Sequence, residues 1–253
     1  MTIAVLTCIV NWFDYLRPPA LIDPSVRYVC FADRPLERVT PWEIQPAYCP
    51  YQVIQQNGAP HPNNSRNSRL PKVLPHLHLN ADFSIWHDAN FVLRVKPQDL
   101  INRYLARRDI AMFAHPCRKH VGEEIAVLLR EKIGDPAEVK AQQTDWLNMG
   151  APLGLWAGGL IVRRHSPQIQ KFNESWWHYF KVGSTRDQVS LAMARHMTGV
   201  EIETIPGDIF SSPIMGFHWH AAWRDKGTNP EYHTQEAEFA MRRKRLEELA
   251  HGS

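Results

Sequence analysis

Apolar, β-branched runs alternate with segments of helical spacing over the first two thirds of the chain. Thr2–Val10, Val26–Phe31, Tyr51–Ile54, Phe83–His87, Ile110–Ala114 and Leu155–Arg163 read as strands. Several are nearly continuous apolar runs, the pattern of strands covered on both faces. Between them lie helix signals. Asp135-Pro136-Ala137-Glu138 has the form of a capping box with proline at the first helical position, and opens a helix to about Met149 with Gly150 beyond its end. Ser166-Pro167 opens another, in which Ile169, Phe172, Trp176 and Phe180 recur at core-facing spacing. Ser184-Thr185-Arg186-Asp187 offers a cap for a third, through about Met197. Residues 57–75 begin as a loop and enter a short helix near Ser68–His78. Residues 206–230 are irregular, and Thr234–His251 reads as a charged terminal helix carrying Arg242-Arg243-Lys244-Arg245.

This alternation predicts an α/β fold: a single domain with a mainly parallel central sheet and helices on both faces. Residues 1–205 form the body, and residues 206–253 a loop and terminal helix of the same domain that close the site. Ligands of such sheets sit at the carboxyl ends of the strands, so the loops that follow strands are where chemistry is sought. The composition (253 residues, 44% hydrophobic, 22% charged) excludes a disordered chain, a collagen-like repeat and a small disulfide scaffold. No apolar run approaches a membrane span, and the first ten residues read as a strand rather than a signal peptide. Cys8, Cys30, Cys49 and Cys117 form no C-x-x-C pair. A reducing cytoplasm is the expected compartment. The net charge of +3 suits an anionic ligand such as a nucleotide.

Six segments carry candidate chemistry. In Ser84-Ile85-Trp86-His87-Asp88-Ala89-Asn90 a strand runs into a carboxylate, a small residue and an amide. Asp88 and Asn90 are short oxygen donors of the kind a hard, phosphate-bridging cation takes, and also the usual residues of a strand-to-turn transition. Asp33 ends an apolar strand, placed to accept from a base or ribose, or to pair with Arg34. Arg66, Arg69 and Lys72 put three cations within seven residues, a cradle for a diphosphate or a solvated face. His115 and Arg118 follow a strand, with Glu123-Glu124 beyond them. Asp187 and Gln188 stand at a helix start, where Asp187 either orients a sugar hydroxyl or caps the helix. His218, in Gly216-Phe217-His218-Trp219-His220, offers a third metal ligand or aromatic packing. The Gly158-Gly159 pair inside a strand points to a bulge or a close backbone approach. P-loop, dinucleotide-fingerprint and nucleophile-elbow motifs are absent, which disfavours those chemistries.

The order of these segments is more specific than any one of them. Tyr28 to Asp33, Arg69 to Lys72, Pro75-His76, Ser84 to Asn90, His115-Pro116-x-Arg118, Gly154-Leu155, Arg163 to His165, Trp176-Trp177 and Ser184-x-Arg186-Asp187-Gln188-x-Ser190 follow in succession. This succession resembles the glycosyltransferase-like domain of the turgor-regulation-defect and mucilage-related proteins, over about residues 2–205. The resemblance implies a GT-A-like (Rossmann-like) fold and hexosyl transfer from a nucleotide sugar, most simply a UDP-sugar, to a hydroxyl acceptor such as a glycan. Manganese or magnesium would be held by Asp88, Asn90 and His218. Asp33, Arg66, Arg69, Lys72, His115 and Arg118 would bind the donor. Asp187 and Gln188 would be catalytic; the pair is similar to that of retaining galactosyltransferases. Where the family pattern is closer to Trp-Ile-Asp-Gly-Asn, this chain has His87 and Ala89 beside Asp88. A viral-type transfer to hydroxymethylated DNA bases and a non-catalytic sugar-binding scaffold are the alternatives.

Overall fold

The computed structural model describes residues 1–54 and 60–220. The expected terminal helix and its basic run lie outside the described residues. The central sheet has seven strands: β1 (Ile3–Ile9), β2 (Arg27–Ala32), β3 (Glu43–Pro46), β6 (Phe83–His87), β8 (Ile110–Ala114), β9 (Trp156–Arg164) and β10 (Glu203–Ile205). Their order across the sheet is β3-β2-β1-β6-β9-β8-β10. All pairings are parallel except the two made by β9, which runs against β6 and β8. Two short ribbons flank it: β4 (Gln52–Ile54) with β5 (Pro60–Pro62), and β7 (Phe91–Leu93) with β11 (Met215–Phe217).

The strands form where the apolar runs are. Every residue of β1 is buried, as are the last five of β2 and all of β6, because both faces are covered. On one face α1 (Asn64–Val73), α6 (Pro167–Val182) and α7 (Asp187–Thr198) pack over Leu6, Val29, Trp86, Met112 and Ile161. On the other, α3 (Pro97–Tyr104) and the β7–β11 ribbon cover Val5, Cys30, Ile85, Phe113 and Val162. The short α2 (Pro75–His78) follows α1, while α4 (Val121–Arg130) and α5 (Pro136–Asn148) pack with α7 around Val121, Ile125, Val139 and Met193. The expected mainly parallel sheet with helices on both faces is therefore what the chain builds.

Helix ends show where local sequence decides. Asp135 caps α5 through Ala137 N–H at 2.7 Å, but the other half of the capping box is not made. Glu138 is drawn off to Arg66 at 2.9 Å, since an ion pair to a largely buried guanidinium outcompetes a solvated backbone amide. Ser166 caps α6, whose Ile169, Phe172, Trp176 and Phe180 are buried as the spacing requires. At α7 the expected side-chain cap is missing: the N-cap residue is Arg186, which makes no cap hydrogen bond. Ser184 is bonded to Gln142 instead, and the Asp187 carboxylate points elsewhere.

The four cysteines are free thiols, and burial pushes the Cys30 thiol up to about 12. No helix among the described residues is long and apolar enough to cross a membrane.

Candidate active site

The carboxyl ends of β6 and β8 and the start of β9 open onto one cavity of about 670 Å³. Because β9 runs antiparallel, its first residues, Ala157 to Gly159, arrive at the edge where β6 and β8 end. β6 delivers Asp88 and Asn90, α1 delivers Arg69 and Lys72, the loop after β8 delivers His115 and Arg118, and the start of α7 delivers Asp187 and Gln188. Phe217, Trp219 and His220 form part of the remaining wall. Arg69, Lys72, Arg118 and Arg186 face two carboxylates, Asp88 and Asp187, so the lining carries an excess of positive charge.

Lys72 stands at the centre of this charge. Its side chain is only 2% exposed, and its Nζ lies 2.6 Å from Asp187 Oδ2 and 3.3 Å from Asp88 Oδ1. The same Asp88 oxygen accepts from Trp86 Nε1 at 2.8 Å. Arg69 Nε, buried and without a hydrogen-bond partner, is 4.0 Å from Asp187 Oδ2. Burial alone would raise the Asp187 pKa, but Lys72 and then Arg69 overcome it and hold the carboxyl below its ordinary value. Room for the ammonium comes from Gly158: a Cβ there would sit 2.8 Å from Nζ and 3.3 Å from Asp187 Oδ2. The glycine pair also lies in a register shift between β8 and β9, opposite Met112 and Phe113. Both readings of Gly158-Gly159, bulge and close approach, hold.

The remaining candidates divide. Arg118 pairs with the buried Glu124, and His115 Nδ1 accepts the backbone N–H groups of Cys117 and Arg118. These contacts tie the loop back on itself, with His115 and Arg118 both on the cavity wall. Asn90 also lines the cavity; its Oδ1 is buried without a partner, and its carbonyl accepts from His218 N–H at 2.8 Å. Arg66 is not part of the cavity lining: it donates to Glu138 and to the Gly183 carbonyl, tying α1 to α5 and to the end of α6. Asp33 lies outside the lining as well, at the tip of β2, where its Oδ1 accepts from Asn11 N–H at 2.8 Å. His218 enters through its backbone and is not among the residues of the cavity wall. His87 is turned into the core against Trp42, and burial holds its pKa down.

Two features escaped the sequence. Asp14 Oδ2 and His220 Nδ1 are 2.7 Å apart, joining the loop after β1 to the segment after β11. Trp12, 55% exposed, lies under the Arg34 guanidinium at 4.3 Å, and it and Asn11 adopt positive φ (51° and 56°). Neither has a spacing signal, because each depends on contacts between loops.

The expected metal set of Asp88, Asn90 and His218 does not assemble on one wall, since His218 is not among the cavity residues, and the donors do not fit a divalent cation bridging the two carboxylates. Such an ion sits roughly 2.0–2.6 Å from its oxygens, and an ammonium already stands between Asp88 and Asp187. Among the described residues no three His, Cys, Asp or Glu side chains are placed to hold a metal ion.

A family model, TOD1/MUCI70, glycosyltransferase-like domain, matches residues 1–206. "Probable hexosyltransferase MUCI70" of Arabidopsis thaliana is 25% identical over 214 residues. The match takes in 76% of this chain and 37% of the plant protein, so the chain spans well under half of that relative's length. Two solved structures are similar at a TM-score of 0.46. The apo structure of the bifunctional glycosyltransferase WbbM shares 13% identity, covering 81% of this chain and 39% of that one. Mouse xyloside xylosyltransferase 1, apo form, shares 11%, covering 89% and 90%. With the family model spanning four fifths of its length, the chain belongs to the TOD1/MUCI70 glycosyltransferase-like domain family.

Proposed function

We propose that this chain transfers a hexosyl group from a nucleotide-sugar donor, a UDP-sugar, to a hydroxyl acceptor. The observation that carries this reading is the convergence of Asp88, Asp187, Lys72, Arg69, Arg118 and Arg186 on one cavity at the carboxyl edge of the sheet. An excess of cations suits a diphosphate, while a buried carboxylate and amide suit sugar hydroxyls. In the reaction the C1–O bond to the β-phosphate breaks and its electron pair stays on the phosphate oxygen. The acceptor oxygen bonds to C1, and its proton passes to the leaving phosphate.

This proton route accords with the state of Asp187. A carboxylate clamped by an ammonium at 2.6 Å and held below its usual pKa is a weak base. That favours the retaining course, in which Asp187 and Gln188 hold the sugar and the departing diphosphate takes the proton. Arg118 and Arg186 would bind phosphate oxygens, and Asp33 would lie beside the nucleoside.

The test is a thermal-shift panel of nucleotide sugars, with and without manganese, followed by assay of nucleoside diphosphate release. A donor at about one hundred times its Kd should stabilise the fold by about 2.7 kcal/mol. If no nucleotide sugar shifts Tm and none is cleaved in either condition, the reading falls.

A further inference from the structure

We propose that the Lys72 ammonium performs the charge-stabilising task that a divalent cation performs in metal-assisted sugar transfer, so that nucleotide binding needs no metal ion. This rests on the function proposed above and adds how the leaving group is held.

Three observations support it. The first is position. Lys72 Nζ lies between the two carboxylates of the cavity, 2.6 Å from Asp187 and 3.3 Å from Asp88. A bridging ion would overlap it in space and repel it in charge.

The second is that the ammonium is built in. Gly158 leaves it room that any side chain would fill. Trp86 Nε1 fixes the Asp88 oxygen it faces. Arg163, fully buried on β9, donates from Nη2 to the Lys72 carbonyl at 2.6 Å and from Nη1 to Asn173 at 3.1 Å. α1 ends before Pro75, which leaves that carbonyl without a helical partner, so the guanidinium anchors the turn from which Lys72 projects.

The third is charge matching. At Asp88-Ala89-Asn90 the second oxygen-bearing residue is a neutral amide. With one carboxylate there and one at Asp187, beside Lys72 and Arg69, the cluster is balanced without a divalent ion. An ammonium has three N–H donors, and its two carboxylate contacts leave one for a phosphate oxygen entering the cavity it lines. As the C1–O bond breaks, charge grows on that oxygen, and a donor already fixed by the fold stabilises it without reorganising.

The experiment is calorimetric titration of the chelator-stripped chain with UDP, GDP and ADP, each in EDTA and again in Mn²⁺. The expected result is a nucleotide that binds in EDTA, with a Kd within about threefold of its value in Mn²⁺. Lys72→Met should weaken that binding in EDTA by about tenfold or more, and Mn²⁺ should restore part of it through the two bared carboxylates. Gly158→Ala, which displaces the ammonium while keeping its charge, should weaken binding in EDTA in the same direction, and serves if Lys72→Met does not fold. Binding that requires Mn²⁺ in the unaltered chain overturns the proposal while leaving sugar transfer standing. Equal binding by the unaltered chain and Lys72→Met in EDTA also overturns it. No binding of any nucleotide in either condition removes the transfer reading itself.

Discussion

The buried guanidinium of Arg163 holds the carbonyl of Lys72 at 2.6 Å, across the interface between the sheet and α1. One cation thus positions the backbone of another whose side chain faces the cavity. Arg163→Met would leave that carbonyl and the Asn173 oxygen without donors. Each unsatisfied buried group costs about 1–3 kcal/mol, offset in part because a buried charge is also removed. Urea unfolding should show a net loss of about 2 kcal/mol. Nucleotide affinity should fall with it in the folded variant, and unchanged affinity would mean that Arg163 only packs.

The two carboxylates around Lys72 should separate by stability. Asp88 is 35% exposed, and Asp88→Ala, which frees the ammonium from its farther partner, should lower turnover about tenfold or more while moving Tm little. Asp187 is 7% exposed, and Asp187→Asn strips the nearer partner from a buried ammonium. Breaking a buried pair costs about 3–5 kcal/mol, softened here because Asp88 remains. Transfer at the parental rate by Asp88→Ala would remove that carboxylate from the chemistry.

Gly158→Ala tests the space around the ammonium. The new methyl would lie 2.8 Å from Nζ, so Lys72 must swing away from Asp187. We expect kcat to fall at least about tenfold, equivalent to 1.4 kcal/mol of lost transition-state stabilisation. Gly207→Ala is the control for glycine replacement, since nothing crowds that position. Its positive φ should cost on the order of 1 kcal/mol of stability and no activity. Steady-state kinetics on both variants decide the point.

Acid should weaken the fold in a defined window. Burial lowers the pKa of His76, His78 and His87, and holds His165 at about 4. His165 stays neutral in the fold down to about pH 4 and protonates near its ordinary 6.5 when unfolded, and the other three shift in the same direction. The unfolded chain therefore binds more protons between about pH 4 and 6.5, and stability falls as pH drops through that range. His165 alone contributes on the order of 3 kcal/mol at most. Asp187, shifted down, adds a separate loss only below the ordinary carboxylate range. Denaturant midpoints measured from pH 7.5 to 5 should decline, and His165→Gln should flatten the slope.

The long strands were legible because burial on both faces writes itself as apolar runs. Phe83–His87 and Ile110–Ala114 match residue for residue. The short edge strand Glu43–Pro46 was not, since it is half-exposed and carries no such run. α4 did have a signal in Val121, Ile125 and Leu128, all buried at helical spacing, masked by the polar turn that precedes it. Within the site, the sequence supplied Asp88, Lys72 and Asp187 as separate candidates. It did not supply their contact, which depends on how α1 and α7 meet over β9. Arg66 shows the reverse: its place in a basic cluster pointed to a ligand, and Glu138, distant in sequence, claimed it.

The reversed direction of β9 makes one segment answer for both walls of the chemistry. Its first residues give the lysine head its berth, and its last give the guanidinium that fixes the lysine's root. Strict alternation would set Gly158 and Arg163, five residues apart, on opposite faces, and the register shift opposite Met112 and Phe113 is what brings both to Lys72. That irregularity is therefore as much a part of the site as the residues it turns, and straightening the strand at a fixed length would send one of the two supports to the wrong side.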